Sequence, residues 1–260
     1  MTSEDLRIEY EIASTAADAS ESAAHAFQVA HGGRVAVIAD AIGNHSHASR
    51  AAQRALEGFL ECLRFLPTSA EALRPELYAA FSAANARVAM EEDARGIAAA
   101  RDAVSLGVLA FCGSEAIIAH LGNVRCYRVR ADSVVQLTTD HSGVAELRGA
   151  GSGDLPDPFD LPDPFDLHHR DLLTRALGLG AAVAPEVTTR HARHRDRFLL
   201  CTASLWSSFS SAQLQLNLAH ARSPAEACRL LGAPRESGCG HVAIVAELGA
   251  VAPTVNGVED

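Results

Sequence analysis

The sequence predicts an α+β fold in which antiparallel sheets carry helices on their outer faces. Three observations lead there: short Val/Ile/Leu-rich runs recur along the 260 residues, two long helices sit between two groups of those runs, and strand and helix never alternate as βαβα. With 48% hydrophobic residues the chain can bury a substantial core, and no long linker divides it.

The β-like runs are LRIEYEIA (6–13), AFQVA (26–30), RVAVIAD (34–40), VSLGVLAF (104–111), EAIIAHLG (115–122), RCYRVR (125–130), VVQLT (134–138), RFLLCTA (197–203) and HVAIVAEL (241–248). GSE at 113–115 joins two of them closely enough for a hairpin. Between the groups, residues 47–64 place Ala51, Ala55, Leu56, Phe59 and Leu63 on one helical stripe. Thr68-Ser69-Ala70-Glu71 has capping-box form and opens a second helix that reaches about Glu92. Ser223-Pro224-Ala225-Glu226 offers a cap, a proline at the first helical position and an acid at the third, for a helix ending near Gly232.

One segment departs from this pattern. LPDPFD occurs twice in tandem, at 155–160 and 161–166, and four prolines with five acids in 150–169 exclude helix and central strand. It is a duplicated surface loop or a partner-docking loop that offers Phe159 and Phe165 beside acids on a stiff backbone.

Composition narrows the function. A net charge of −10 argues against nucleic acid or an anionic membrane as the partner. All 22 basic residues are Arg. The start, MTSEDLRIEYEIAS, lacks the basic and apolar regions of a signal peptide, and no apolar run reaches the ~18 residues a membrane span needs. Six cysteines are scattered without a CxxC pair and read as buried thiols. A cytoplasmic protein is expected.

Several stretches together resemble the metal-dependent Ser/Thr protein phosphatases of the 2C (PPM) type, especially the bacterial ones. VAVIADAIGNH (35–45) is similar to the family's "VADGMGGH", and LYAAFSAANARV (77–88) to its second long helix. AHLGNVRCYRVRADSVVQLTTDHSGV (119–144) resembles "ANVGDSRAYL…LTxDHS", and DLLTRALGLG (171–180) resembles "LTRALG". RDRFLLCTASLWSSFS (195–210) and GCGHVAIVAEL (238–248) resemble "GDRLLLCSDGLTDxVS" and "DNITVVVVEL". The matches run in order over residues 6–248. The resemblance implies a four-layer αββα sandwich of two antiparallel sheets flanked by helices. It implies one domain over 1–250, the Pro/Asp-rich loop at 150–169 in place of the flap region, and a short tail at 251–260.

The resemblance also implies a site whose parts are largely absent. Two divalent metals need several carboxylates to hold them around a nucleophilic water, and hard ions such as Mg²⁺ and Mn²⁺ want oxygen ligands. The first metal aspartate falls on Asp40, and the glycine after it, which lends a carbonyl, on Ala41. The other acidic ligands fall on Ala24, Ala203 and Gly240, with His25 and His241 beside them. The phosphate-binding Arg falls near Ala13, and the Asp of "GDSR" is Asn123. The expectation is therefore a pseudophosphatase whose degenerate site keeps Asp40 and His45, and whose remnant metal position, Asp40 with Ala41, is empty. No cofactor is expected, with Mn²⁺, Mg²⁺ or Zn²⁺ bound weakly as the alternative.

Such a domain would bind a protein partner, such as a phosphoprotein or a component of a bacterial Ser/Thr kinase pathway. The alternative is a phosphatase or other hydrolase with residual activity, using His25, Asp40, His45 and His241 as a non-standard metal set. The competing reading of those histidines is as cleft-lining groups bonded to water. Trp206, just after the lost aspartate, packs into the emptied cleft or contacts a partner. Asp140-His141-Ser142 is rejected as a hydrolytic triad, because adjacent residues cannot face one another.

Overall fold

In the computed structural model of the chain, residues 7–15, 25–42, 48–95, 103–143, 145–146, 173–232 and 240–249 are described. Two five-stranded antiparallel sheets are stacked between two helical layers. The first has the order β2-β3-β4-β5-β8, formed by His25–Ala30, Val35–Ile42, Ala103–Cys112, Glu115–Leu121 and Glu186–His191. The second has the order β1-β10-β9-β6-β7, formed by Arg7–Thr15, His241–Gly249, Arg197–Cys201, Arg125–Arg130 and Ser133–Gln136. Helices α1 (Ala48–Cys62) and α2 (Ala70–Arg95) cover the first sheet. Helices α3 (Ala203–Trp206), α4 (Ser211–His220) and α5 (Pro224–Leu231) lie on the second.

The layering follows from side chains that alternate along strands with apolar residues on both faces. In β9, Phe198 and Leu200 point between the sheets while Leu199 and Cys201 point to the outer helices. Ala36, Ile38, Leu109, Phe111, Val124, Ile244 and their neighbours fill the space between sheets, and Phe111 meets Phe198 edge-on at 5.5 Å across it. Gly107 lets the sheets approach, since a Cβ there would lie 2.3 Å from Val124 Cγ1.

Strand and helix positions agree with the sequence to within three residues, with three differences. The cap of α2 is Ser69, whose Oγ accepts from the Ala72 N–H, one residue later than the capping box predicted. Strand β8 was not foreseen: EVTTRH is polar on one face, as suits the edge it occupies. Helices α3 and α4 were not foreseen either. Ser210 caps α4 reciprocally with Gln213, a capping box inside a serine-rich run that reads as loop. Among the described residues no helix is long and apolar enough to cross a membrane. The LPDPFD repeat, with Phe159 and Phe165, lies outside the described residues.

Candidate functional site

Asp40 sits near the end of β3, opposite His25 of β2 and Ser105 of β4. Its Oδ2 accepts a hydrogen bond from the Ala203 N–H at 3.2 Å, so it spans from the first sheet to the start of α3 behind the second. The end of β9 is clipped in turn to the start of β10. Thr202 Oγ1 accepts from the Val242 N–H at 3.1 Å, and Ser204 Oγ donates to the Gly240 carbonyl at 2.9 Å. His241 pairs in register with Thr15 of β1. The structure thus brings Asp40, His25, Ala203, Gly240 and His241 to one cleft. Ala24 and His45 lie outside the described residues. Ala41 is buried under the first helical layer.

The electrostatics of this cleft are those of a poorly hydrated site. Burial pushes the Asp40 carboxyl up to about 7, and the Ala203 N–H only partly counters it. Burial also lowers the His25 pKa, helped by nearby His241, and burial lowers that of His241.

Beside the cleft, a second assembly replaces what the sequence left open. Arg125 of β6 grips Asp140 through Nε at 2.9 Å and Nη2 at 2.6 Å, and its Nη1 donates to Tyr127 Oη at 3.2 Å. The guanidinium lies 3.4 Å over the Trp206 ring, a cation–π stack. Trp206 is buried, and its Nε1–H donates to the Asn123 carbonyl at 2.9 Å. Asn123 is itself satisfied by Ser105, whose Oγ donates to Asn123 Oδ1 at 2.8 Å. Two neutral residues therefore close the position where the resemblance has an aspartate.

A third group was not anticipated. His120 of β5, His141 and Glu186 of β8 bring one potential metal-ligand atom each within 4.8 Å of one another, alone in this among the described residues. His141 Nδ1 accepts from the Gly122 N–H at 3.1 Å, which leaves the proton of the neutral ring on Nε2. That Nε2 is buried without a hydrogen-bond partner, 3.7 Å from Glu186 Oε2. His120 Nε2 bonds the Thr139 carbonyl at 2.8 Å, which frees its Nδ1 lone pair. The two rings stack at 4.6 Å with their planes 15° apart. Imidazole lone pairs lie in the ring plane, so stacked rings cannot aim at one ion. Joint ligation by these histidines requires one ring to turn and His141 to give up its Nε2 proton. Asp140, His141 and Ser142 face different partners, in keeping with the rejected triad. The Arg125–Trp206 stack and this histidine pair escaped sequence reading because their members come from separate segments; the LTTDHS block was their one signal.

No protein-family model matches the chain. It is 30% identical over 178 residues to the serine/threonine protein phosphatase PstP of Mycobacterium tuberculosis, a stretch covering 67% of this chain and 32% of that protein. It is 28% identical over 111 residues to the protein phosphatase PhpP of Streptococcus pneumoniae, 43% of each. The chain thus spans about a third of the mycobacterial protein and less than half of the streptococcal one. Among solved structures, the M. tuberculosis phosphatase PstP/Ppp superposes with a TM-score of 0.78 at 24% identity, covering 93% of this chain and 99% of that one. Stp1 of Staphylococcus aureus reaches 0.80 at 16% identity, with coverages of 97% and 98%. The catalytic domain of PstP in complex with two manganese ions reaches 0.75 at 24% identity, with coverages of 94% and 99%.

That last structure overturns the expectation that no cofactor belongs with this chain. A neighbour in fold holds two metal ions, and this chain itself gathers His120, His141 and Glu186 as potential ligands. The described residues of the Asp40 cleft do not fit a pair of manganese ions, for they supply one carboxylate where several are needed. By its fold and its relatives, the chain is a PPM-type phosphatase-like domain.

Proposed function

We propose that this domain does not catalyse phosphate-ester hydrolysis and serves as a protein-binding or regulatory module, in the cytoplasm, within bacterial Ser/Thr phosphorylation signalling. One observation carries the reading: the carboxyl of Asp40 is engaged by the Ala203 N–H, at the position where the resemblance places a second carboxylate. Generating a nucleophilic water there would need a strongly polarising cation held by several carboxylates, and Ala203 and Gly240 supply none beside Asp40. The partner is a protein, a phosphoprotein or a component of the kinase pathway. Were the domain to turn over, the relatives make phosphorylated Ser/Thr proteins the substrate class.

The test is hydrolysis of p-nitrophenyl phosphate and of a phosphothreonine peptide by the purified chain with Mn²⁺. The expected rate equals background and is unchanged in Asp40→Ala. A rate above background that Asp40→Ala abolishes would overturn the proposal.

A further inference from the structure

His120 and Glu186 stand directly opposite each other in the β5–β8 ladder. Cross-strand neighbours share a face, and this one, which carries Ile118 two residues earlier, looks into the space between the sheets. The pair lies at the end of the ladder, where the edge strand leaves the Glu186 side chain 38% exposed while His120 is buried. Asp40 is two strands away across the same sheet, roughly 10 Å or more, so the pair is separate from its cleft.

Hydrogen bonds set the proton on each ring. A carbonyl only accepts, so His120 Nε2 donates to Thr139 and the Nδ1 lone pair is left over; burial lowers the His120 pKa, which keeps the ring neutral at pH 7. A metal-ligating histidine typically gives its other N–H to a backbone carbonyl in this way. His141 is held differently. Its Nδ1 accepts from the Gly122 N–H and its main-chain N–H bonds the Gly122 carbonyl, so its Nε2 bears the proton and cannot ligate. That proton is buried without an acceptor, 3.7 Å from Glu186 Oε2. A stranded buried donor costs about 1–3 kcal/mol, and a carboxylate drawn inward would satisfy it. Arg175 acts on both rings, but it is exposed, and Glu186 and Asp140 each outweigh it at His120.

We propose that His120 Nδ1 and one carboxylate oxygen of Glu186 bind a divalent cation of the Zn²⁺ class, while His141 Nε2–H donates to the other oxygen of that carboxylate. Only one ring ligates, so the stack, with planes 15° apart, is no obstacle: the ion lies in the plane of His120. The potential ligand atoms are within 4.8 Å of one another, and a turn of the partly exposed Glu186 side chain closes that span to a shared ion. A nitrogen beside an oxygen suits Zn²⁺ better than Mg²⁺, which demands an octahedron of oxygens. Water reaches the remaining positions from the exposed side of Glu186. Bound there, the ion ties β5 to the edge strand β8 and, through His141, to the LTTDHS block. The site uses no residue of the Asp40 cleft, so this proposal and the absence of phosphate-ester hydrolysis can fail separately.

The experiment is isothermal titration of the chelator-treated full chain with Zn²⁺, with Mg²⁺ as competitor. One Zn²⁺ should bind per chain, and an equal concentration of Mg²⁺ should not displace it. His120→Ala and Glu186→Gln should each weaken Zn²⁺ binding about tenfold or more. Zn²⁺ should also raise the melting temperature of the wild type more than that of Glu186→Gln, a change at a partly exposed side chain that the fold tolerates. His141→Phe keeps a stacked ring but removes the donor, and should bind about tenfold more weakly. His141→Gln, with an N–H at the same reach, should recover part of that loss. His25→Ala, in the Asp40 cleft, should bind as the wild type does. No Zn²⁺ binding by the wild type, unchanged binding in His120→Ala or Glu186→Gln, equal binding by the two His141 variants, or loss of binding in His25→Ala would each overturn the proposal.

Discussion

Asp40 and the buried histidines pull the pH dependence of stability in opposite directions, because burial disfavours the charged form of each. Asp40 is raised from 3.8 to about 7, so the folded state binds its proton more tightly than the unfolded chain does. Its contribution is fully present below pH 3.8 and is lost as pH rises through about 7. His25, His120 and His141 are lowered from 6.5, His141 to about 3. Their contribution is fully present above 6.5 and is lost as pH falls toward their folded values. The two slopes oppose each other between about 4 and 6.5. Asp40→Asn should therefore gain stability relative to the wild type at pH 8 and lose that advantage at pH 5, as urea melts at the two values would show. A single common offset at both would contradict the pKa assignment. Arg125 supplies a second case: Arg125→Ala leaves Asp140 buried without its cation and uncovers Trp206. The expected loss is about 3 kcal/mol, read from denaturant unfolding.

Among the elements, the junction of β4, β5 and the residues after β7 has no room for a side chain at Gly122. Gly122, at φ +97, donates its N–H to His141 Nδ1 and offers its carbonyl to the His141 N–H at 3.0 Å. A Cβ there would lie 2.1 Å from Ser105 Oγ. Gly122→Ala should cost roughly 2 kcal/mol or more through strain and displaced Ser105, measurable as a lower melting temperature. Helix α5 is a milder example. Ser223 Oγ accepts from the Glu226 N–H at 3.1 Å, and Ser223→Ala should cost about 1 kcal/mol. That cap was legible in the sequence because Ser-Pro-x-Glu states all its requirements within four residues. Strand β8 was not, because an edge strand with a polar face announces itself only through its partner, β5.

For the whole molecule, the layers were legible because strands such as AVSLGVLAFC are apolar on both faces and so must lie between two layers. The cleft was legible in part. Asp40, Ala203 and Gly240 were placed together by the order of matching blocks, while the hydrogen bond joining Asp40 to Ala203 spans 163 residues and has no local signature. The cleft geometry makes one further prediction. Ala203→Asp with Gly240→Asp places two carboxylates next to Asp40, so Mn²⁺ should raise the melting temperature of that variant more than that of the wild type. An equal response would mean that carboxylate number does not limit metal affinity there.

The base of the Pro/Asp-rich segment has an evolutionary consequence. Ser142 bridges Leu173, and the Thr174 N–H donates to the His141 carbonyl at 2.9 Å, so both ends of residues 143–172 are pinned to the frame. These two pairings join residues on either side of the LPDPFD repeat, so a copy of the unit can be gained or lost without changing which residues of the frame they join.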